Sequence, residues 1–311
     1  MKIPARDADW PAAATKGSAD RVAGRSLFIG AGSAIFILAM WSGFIVFNRF
    51  GVLGGLTPYD MAAARLMVAG PLSLPFLIAW WPRHLPWQAI VVMTLCGPGV
   101  LYSILVPAGL AQASAAYGGV FTNGALPVLT MLIAFCVAGT RPTWGHIIGT
   151  AVILTGGTMV AWRGLQAGGT DVATGIALFL GASTLVGSYI YAIRHWSVTP
   201  REALVLVNVP NALIYLPIWA LFLPSSMADA PIETVVWQMA FQGLGPGFLA
   251  VIVFAMMAYH LGPTPTAAVS AAVPASAALL AIPVLSEQPT PLEWAGIATV
   301  TVGLMLLTWR R

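Results

Sequence analysis

The sequence predicts an all-α membrane protein with ten transmembrane helices, arranged as two inverted five-helix repeats with both termini in the cytoplasm. The composition, the length of the apolar runs and an internal repeat predict this fold class. Of the 311 residues, 59% are hydrophobic and only 8% are charged, whereas ordinary soluble domains carry about 25% charged residues. A soluble domain of this size has too little interior to hide so much apolar surface. We therefore expect the chain to lie in lipid.

Apolar runs of roughly 18–25 residues, the length that crosses a ~30 Å hydrocarbon core, follow one another along the chain. The ten predicted spans are residues 27–48, 58–81, 88–110, 115–138, 144–162, 172–193, 202–223, 235–259, 265–285 and 292–309. The connections are short and leave no room for a separate soluble catalytic domain. No A-x-A-like cleavage site follows the first run, so we expect residues 1–26 to form a cytoplasmic tail before a retained first span.

The basic residues predict the orientation, because Lys and Arg favour the cytoplasmic side of membrane proteins. With the N-terminus inside, the opposite side holds only Arg49 and Arg163, and Arg65 lies within a span. The cytoplasmic side then holds the other eleven, which are Lys2, Arg6, Lys16, Arg21, Arg25, Arg83, Arg141, Arg194, Arg201, Arg310 and Arg311. The net charge of +4 thus reflects a multi-pass protein of the cytoplasmic (inner) membrane and requires no nucleic-acid partner.

An internal repeat covers nearly the whole chain. A shift of 147 residues places Pro127 on Pro274, and a shift of 148 places Gly97-Pro98-Gly99 on Gly245-Pro246-Gly247. Other motifs repeat at nearby offsets, and these pairs are Thr57-Pro58 with Thr199-Pro200, Asp60 with Glu202, Arg49 with Arg194, Gly149 with Gly296, and Gly156 with Gly303. Because the offsets drift by only a few residues, the two halves are predicted to share one architecture.

The repeats are predicted to be residues 27–163 and 171–311, with five spans each. Since five is odd, the second repeat must enter the membrane from the opposite side. The charges agree, because the inner loop GTRPT contains Arg141 and its outer counterpart SEQPT contains Glu287 and no base. Inverted repeats of this kind are an architecture of secondary transporters.

Several motifs resemble those of a known family. The second span begins with TPYDMAAARL, the first half contains ALPVLTMLIAFCVAGTRPTWGHIIGTAVILTGG, and the second contains AVPASAALLAIPVLSEQPTPLEWAGIATVTVGLMLL. Over about residues 27–309 the chain resembles the EamA-type transporters of the drug/metabolite transporter (DMT) superfamily. The resemblance implies that spans 1, 3, 4, 6, 8 and 9 surround a central cavity. It also implies an acidic residue after the fourth span of each half. The second half has Glu287 at this position, whereas the first half has Thr140.

Gly/Pro-interrupted spans at corresponding places in two halves point to a transporter's binding site. The predicted hinge residues in spans 3, 4, 8 and 9 are Gly97, Pro98, Gly99, Pro127, Gly245, Pro246, Gly247 and Pro274. A proline in a helix leaves the carbonyl four residues earlier without its hydrogen bond. The residues that carry these carbonyls, or that lie one helical turn from the proline or from them, are polar. With aromatic residues of spans 1 and 6, they give a predicted substrate cavity of Trp41, Thr94, Tyr102, Asn123, Tyr189, Gln238, Gln242 and Ser270.

Two interpretations of these polar residues stay open. Each side chain can satisfy its own kinked helix or join neighbouring helices, and ordinary packing accounts for Trp41, Phe44 and Tyr189 equally well. The symmetric placement of four polar stripes favours a lined cavity, because unpaired backbone groups in lipid cost several kcal/mol.

Arg65 is the one charged side chain placed well inside a predicted span. Intramembrane charges are candidates for functional sites. Arg65 lies about 10 Å from the outer surface, at 1.5 Å per residue from Pro58, so its side chain is close to snorkelling distance. Structural anchoring and a gating or anion-attracting role both remain open.

The sequence thus predicts a secondary transporter that moves a small, amino-acid-like metabolite, in the direction of export, by alternating access. No Asp or Glu lies at mid-span and no phosphate-binding loop is present, which disfavours a carboxylate proton relay and ATP hydrolysis. No metal site, cofactor or enzymatic activity is predicted, and the partners are a small-molecule substrate and membrane lipid. A channel and a non-transporting membrane scaffold are the alternatives.

Overall fold

The computed structural model describes residues 16–166 and 170–309, and all regular structure within these ranges is helical. The predicted all-α class is confirmed. Part of the predicted tail, residues 1–15, lies outside the described residues, as do the linker residues 167–169 and the predicted cytoplasmic residues Arg310 and Arg311. The first helix begins at Lys16, before the predicted start of the first span at residue 27.

The described part of the chain forms ten long helical segments. They are α1 (Lys16–Leu53), α2 (Pro58–Trp80), α3 (Trp87–Gln112), α4 (Ala115–Ala138), α5 (Trp144–Gln166), α6 (Thr170–Trp196), α7 (Pro200–Phe222), α8 (Ile232–Leu261), α9 (Pro263–Leu285) and α10 (Pro291–Trp309). In these ranges nine helices are long and apolar enough to cross a membrane, and the tenth has a shorter apolar stretch, Pro291–Leu307. The chain is therefore a multi-pass membrane protein.

Local sequence explains where α2 and α7 begin. Thr57 accepts a hydrogen bond from the Asp60 amide, and the Asp60 carboxylate accepts one from the Thr57 amide. Thr199 and Glu202 form the same reciprocal cap before α7. Each cap satisfies two amides that the first helical turn leaves unpaired, and Pro at the first helical position fixes the backbone there. The predicted sequence pairs Thr57–Thr199 and Asp60–Glu202 thus perform the same local task.

Four glycines bring α5 and α10 into backbone contact. A methyl group added at Gly156 would lie 2.6 Å from the Gly296 carbonyl oxygen, and one added at Gly303 would lie 3.0 Å from the Gly149 carbonyl oxygen. Residue numbers rise along one helix as they fall along the other, so the helices pack antiparallel. Small residues let membrane helices approach this closely.

Replacing Gly296 with alanine is expected to lower the melting temperature of the protein in detergent, because the new methyl would lie 2.7 Å from the Gly156 carbonyl oxygen. Overpacking of this kind costs about 1–3 kcal/mol. Gly32→Ala is the matched control, since a methyl group there meets no atom within 4 Å. Equal melting temperatures for the two variants would contradict the proposed role of this contact.

Of the four spans with predicted Gly/Pro breaks, three are interrupted in their α-helical pattern. The α-helical parts of α3 end at Cys96 and resume at Val100, and the intervening residues are Gly97, Pro98 and Gly99. In α4 and α8 the interruptions are π-helical segments, Gly119–Gly124 and Met239–Leu249. Here each turn is widened rather than broken, which is common at functional sites.

The fourth predicted break differs. α9 remains α-helical through Pro274. Pro127 in α4 lies in the first turn of the α-helix Leu126–Ala138, just after the π-helical segment. A proline in a first helical turn leaves no intrahelical hydrogen bond unmade, so the irregular backbone of α4 lies before Pro127 rather than at it.

Contacts between loops define two ends of the bundle. At the upper end, the amide of Ser226 donates to Asp60 and the Arg49 side chain pairs with Glu287. At the lower end, Ser26 Oγ lies 2.9 Å from His260 Nδ1. The predicted orientation assigns the lower end to the cytoplasm.

Candidate substrate cavity

A cavity of about 470 Å³ lies among seven helices, within the ~300–1,000 Å³ typical of small-molecule sites. Helices α1, α3, α4, α6 and α8 contribute to its wall as the family resemblance implies. Arg65 of α2 and Ala203 of α7 also line it, whereas α9 supplies no lining residue in the described ranges. The reason is local, because Gly119 of α4 packs directly on the Pro274 backbone and places α4 between α9 and the cavity.

The cavity reaches the lower end of the bundle and stops short of the upper end. Its lining includes Val198 and Pro200, beside the connection between α6 and α7. At its opposite limit are Arg65 and Thr122, each seven residues into its span from the upper end. At 1.5 Å per residue, about 10 Å of packed protein lies between them and that end. The cavity is thus open below and closed above.

Aromatic rings form much of the cavity wall. Trp41 stacks on Phe254 with ring centroids 5.3 Å apart, and Phe44 stacks on Tyr102 at 5.5 Å. Tyr189 of α6 adds a fifth ring to the lining. Such a wall favours ligands with an apolar or aromatic part, because aromatic side chains bury large areas and prefer stacked contacts.

Three buried polar atoms in the lining have no hydrogen-bond partner. They are Arg65 Nε, Thr122 Oγ1 and Ser183 Oγ, on residues with exposed fractions of 3%, 2% and 0%. An unpaired buried polar group costs about 1–3 kcal/mol. The three residues line the cavity from α2, α4 and α6, so a ligand or water in the cavity is a candidate partner for these atoms.

Arg65 makes two contacts with its surroundings. Its Nη2 donates to the Pro246 carbonyl oxygen at 3.4 Å, and its guanidinium lies 5.8 Å from the centre of the Phe44 ring. The first contact ties α2 to the π-helical part of α8. The side chain therefore combines a helix-joining contact with a position on the cavity wall.

Half of the predicted cavity residues line the cavity. These are Trp41, Tyr102, Asn123 and Tyr189. The predicted hinge residues Pro98 and Pro246 also line it. These six residues lie in five of the helices that line the cavity, which are α1, α3, α4, α6 and α8.

The other four predicted cavity residues bond to protein outside the lining. Thr94 Oγ1 donates to the Leu206 carbonyl oxygen of α7 at 3.1 Å, and Ser270 Oγ donates to the Thr266 carbonyl oxygen of its own helix at 3.1 Å. The two amides Gln238 and Gln242 are buried at the closed upper end and bond to each other at 3.3 Å. Gln238 also donates to the Phe47 carbonyl oxygen at 2.7 Å.

The break in α3 is bridged by a residue that the sequence analysis missed. Asn211 Nδ2 donates to the Thr94 carbonyl oxygen at 2.9 Å, which is the carbonyl that Pro98 leaves without an amide. Its Oδ1 accepts from the Val100 amide at 3.3 Å, on the other side of the break. Gly99 permits this contact, because a methyl group there would lie 2.4 Å from the Asn211 side chain.

A second asparagine of α7 supports the break in α8. Asn208 Nδ2 donates to the Gly247 carbonyl oxygen and to Ser73 Oγ, both at 3.0 Å. Its position was visible in the sequence as the run NVPN around Pro210. Two amides beside a proline in an apolar span are the signal that identifies α7 as a partner of the broken helices.

An ion pair between α1 and the end of α9 lies at the closed upper end. Arg49 Nε lies 2.8 Å from Glu287 Oε1, and both side chains are mostly buried. Arg49 also donates to the Leu110 carbonyl oxygen, and Glu287 Oε2 accepts from the Ala115 amide at 2.9 Å. The pair thereby joins the ends of α1, α3, α4 and α9.

A family model of EamA-like transporters matches the chain twice, over residues 28–162 and 173–309. The chain belongs to the EamA-like transporter family. It is therefore a membrane transporter by family, of the DMT superfamily. The match covers most of the chain and includes every helix that lines the cavity.

Relatives and a solved structure agree with this membership. The chain is 25% identical to the uncharacterized transporter YwfM of Bacillus subtilis, over 81% of this chain and 84% of that protein. It is 27% identical to a probable terminal-alkyne amino-acid exporter of Streptantibioticus cattleyicolor, over 85% of this chain and 86% of that protein. A crystal structure with 18% identity matches with a TM-score of 0.63, over 92% of this EamA-like chain and 97% of its own, which supports the fold.

Proposed function

We propose that this EamA-like protein is a secondary transporter that exports a small, amino-acid-like metabolite across the cytoplasmic membrane by alternating access. One observation carries the proposal: a cavity lined by aromatic, hydroxyl and amide groups is open at one end of the bundle and closed at the other. A relative named as a probable terminal-alkyne amino-acid exporter supports the substrate class and the direction. The positive residues assign the open end to the cytoplasm, from which an exporter loads.

A two-fold relation between the repeats supports the alternating-access part of the proposal. The glycine contacts between α5 and α10 form two equivalent contacts. The sequence repeat pairs Gly156 with Gly303 and Gly296 with Gly149. The contact between Gly156 and Gly296 therefore corresponds to the contact between Gly303 and Gly149. Likewise, α7 packs on the Gly-Pro-Gly segment of α3 through Asn211, and α2 packs on that of α8 through Ala69. Halves related in this way can exchange conformations and so open a central site to either side.

The proposed movement closes the lower end while it opens the upper end. The break at residues 97–99 of α3 and the π-helical residues 245–247 of α8 are the proposed hinges, since helices kink at Pro, at Gly and at π-helical turns. Asn211 and Arg65 touch these breaks from α7 and α2. The lining thus couples substrate contacts to the two segments that move.

Counterflow uptake in proteoliposomes tests the transport function. With a panel of labelled amino acids, we expect accelerated exchange of at least one, and about a tenfold higher half-saturating concentration in Asn123→Ala and Tyr189→Ala, a loss of about 1.4 kcal/mol of binding. Ser270→Ala is the matched control, because Ser270 bonds to its own helix outside the lining. Unchanged transport in both cavity variants would contradict the site, and flux without counterflow would indicate a channel.

A further inference from the structure

We infer that the transported molecule carries a carboxylate group that binds to Arg65. The inference rests on the proposed function and specifies the substrate class. Arg65 is the one charged residue in the described cavity lining, which contains no Asp or Glu. The cavity therefore has a positive pole and no fixed negative one.

The charge of Arg65 has no acidic partner among the described side chains. The nearest acid along α2, Asp60, is fully buried and already accepts hydrogen bonds from Trp219 Nε1 at 3.0 Å and Ser225 Oγ at 2.6 Å. The structure records its ion pairs elsewhere, at Arg49–Glu287 and His84–Glu202. An uncompensated buried charge is strongly destabilising, and an anionic ligand would compensate it.

The guanidinium also has unused donor capacity. Its recorded hydrogen bond to the Pro246 carbonyl oxygen is long, at 3.4 Å, and Nε has no partner. A guanidinium presents five donors in a planar fork that matches both oxygens of a carboxylate. The Phe44 ring, whose centre lies 5.8 Å from the guanidinium carbon, offers no oxygen or nitrogen acceptor to these donors.

Hydroxyl groups line the same cavity as Arg65. Thr122 Oγ1 of α4 and Ser183 Oγ of α6 are buried and unpaired. The phenol groups of Tyr102 and Tyr189 belong to residues of the same lining. A carboxylate oxygen accepts several hydrogen bonds at once, so these hydroxyls can donate to it beside Arg65, whose positive charge disfavours an ammonium group there.

The rest of the cavity specifies the remainder of the ligand. Five aromatic residues and several aliphatic ones line it, including Leu126 and Val186. An apolar side chain of the size of leucine or phenylalanine fits such a wall. Because no acidic lining residue pairs with an ammonium group, we infer that the carboxylate contributes most of the recognition and the amino group little.

Ligand-dependent melting of the purified full-length protein tests this inference with matched probes. Phenylalanine, phenylpropionate and phenethylamine share a ring and chain and differ in their charged groups, and leucine, 4-methylpentanoate and isoamylamine form a second set. We expect both carboxylates of at least one set to raise the melting temperature, and neither amine to do so. Equal shifts by the amine and the acid, or no shift by any carboxylate, would overturn the inference.

Variants of Arg65 separate ligand binding from helix anchoring. Arg65→Lys keeps the charge but loses the planar fork, and we expect about tenfold weaker carboxylate binding. Arg65→Gln is expected to abolish it. A purely anchoring role would lower the unliganded melting temperature in both variants without changing ligand preference. If Arg65→Gln does not fold, the acid–amine comparison on the wild-type protein still decides the question.

The two proposals fail in distinguishable ways. Counterflow of a metabolite with no preference for acid over amine would reject the carboxylate inference and leave the transport function standing. Carboxylate-selective binding without counterflow of any panel member would reject transport and leave the site.

Discussion

Replacing Asp60 with alanine is expected to lower the free energy of unfolding by several kcal/mol, because each buried donor left without its partner costs about 1–3 kcal/mol. Asp60 is fully buried at the upper end. Its carboxylate accepts hydrogen bonds from the Thr57 and Ser226 amides, at 3.1 and 2.9 Å, and from Trp219 and Ser225. Alanine would leave these donors unpaired and would release the connection between α7 and α8 from α2.

The measurement is the melting temperature and the monodisperse yield of the purified protein in detergent. Asp60→Asn is expected to fall between alanine and wild type, because the amide keeps one acceptor. Glu202→Ala is the matched control, since Glu202 forms the corresponding cap at the start of α7. A lost cap alone costs about 1 kcal/mol. If Glu202→Ala were as damaging as Asp60→Ala, the upper-end network would not be the source of stability.

Much of the fold could be predicted because its determinants are local. The length of each apolar run predicts a span, and the predicted start of the second span at residue 58 is the first residue of α2. The Gly97-Pro98-Gly99 break also follows from local chemistry, because two glycines and a proline cannot sustain a regular helix. These features depend on residues that are neighbours in the sequence, so they can be predicted from one sequence alone.

The cavity could be predicted only in part, because its composition depends on which helices meet. Thr94 was expected to face a void, but its carbonyl accepts from Asn211 and its hydroxyl donates to Leu206, both on α7. The amides Gln238 and Gln242 precede Pro246 in α8 by two helical turns and one, respectively, and were predicted to line the cavity. They are instead buried in the packed upper end. Helical periodicity identifies a face of a helix, but the depth at which a cavity closes depends on tertiary packing.

Disrupting the Arg49–Glu287 ion pair is expected to open the upper end of the bundle. The pair joins α1 to the connection between α9 and α10 and also bonds to the Ala115 amide. The sequence counterparts of its members are Arg194 and Thr140, so the lower end has no equivalent acid. The ion pair lies at the end of the bundle that the cavity does not reach.

Cysteine accessibility measures this opening. In a background without Cys96 and Cys136, Asn48→Cys places a thiol at a buried position of the upper end. Glu287→Gln is expected to raise its rate of maleimide labelling in detergent at least about fivefold, because even an exposed ion pair contributes up to about 1 kcal/mol and this pair is mostly buried. Detergent exposes both ends to the reagent, so the result does not depend on orientation.

The charge swap is the decisive control for the Arg49–Glu287 pair. Arg49→Glu alone places two acids together, and we expect labelling to rise further than in Glu287→Gln. The double variant with Glu287→Arg restores an attractive pair, and we expect much of the protection to return, although the bonds to Leu110 and Ala115 are lost. If the swap labelled as fast as Arg49→Glu, those backbone bonds, rather than the ion pair, would hold the upper end closed. A rate unchanged in all three variants would assign closure to the buried amides of α8.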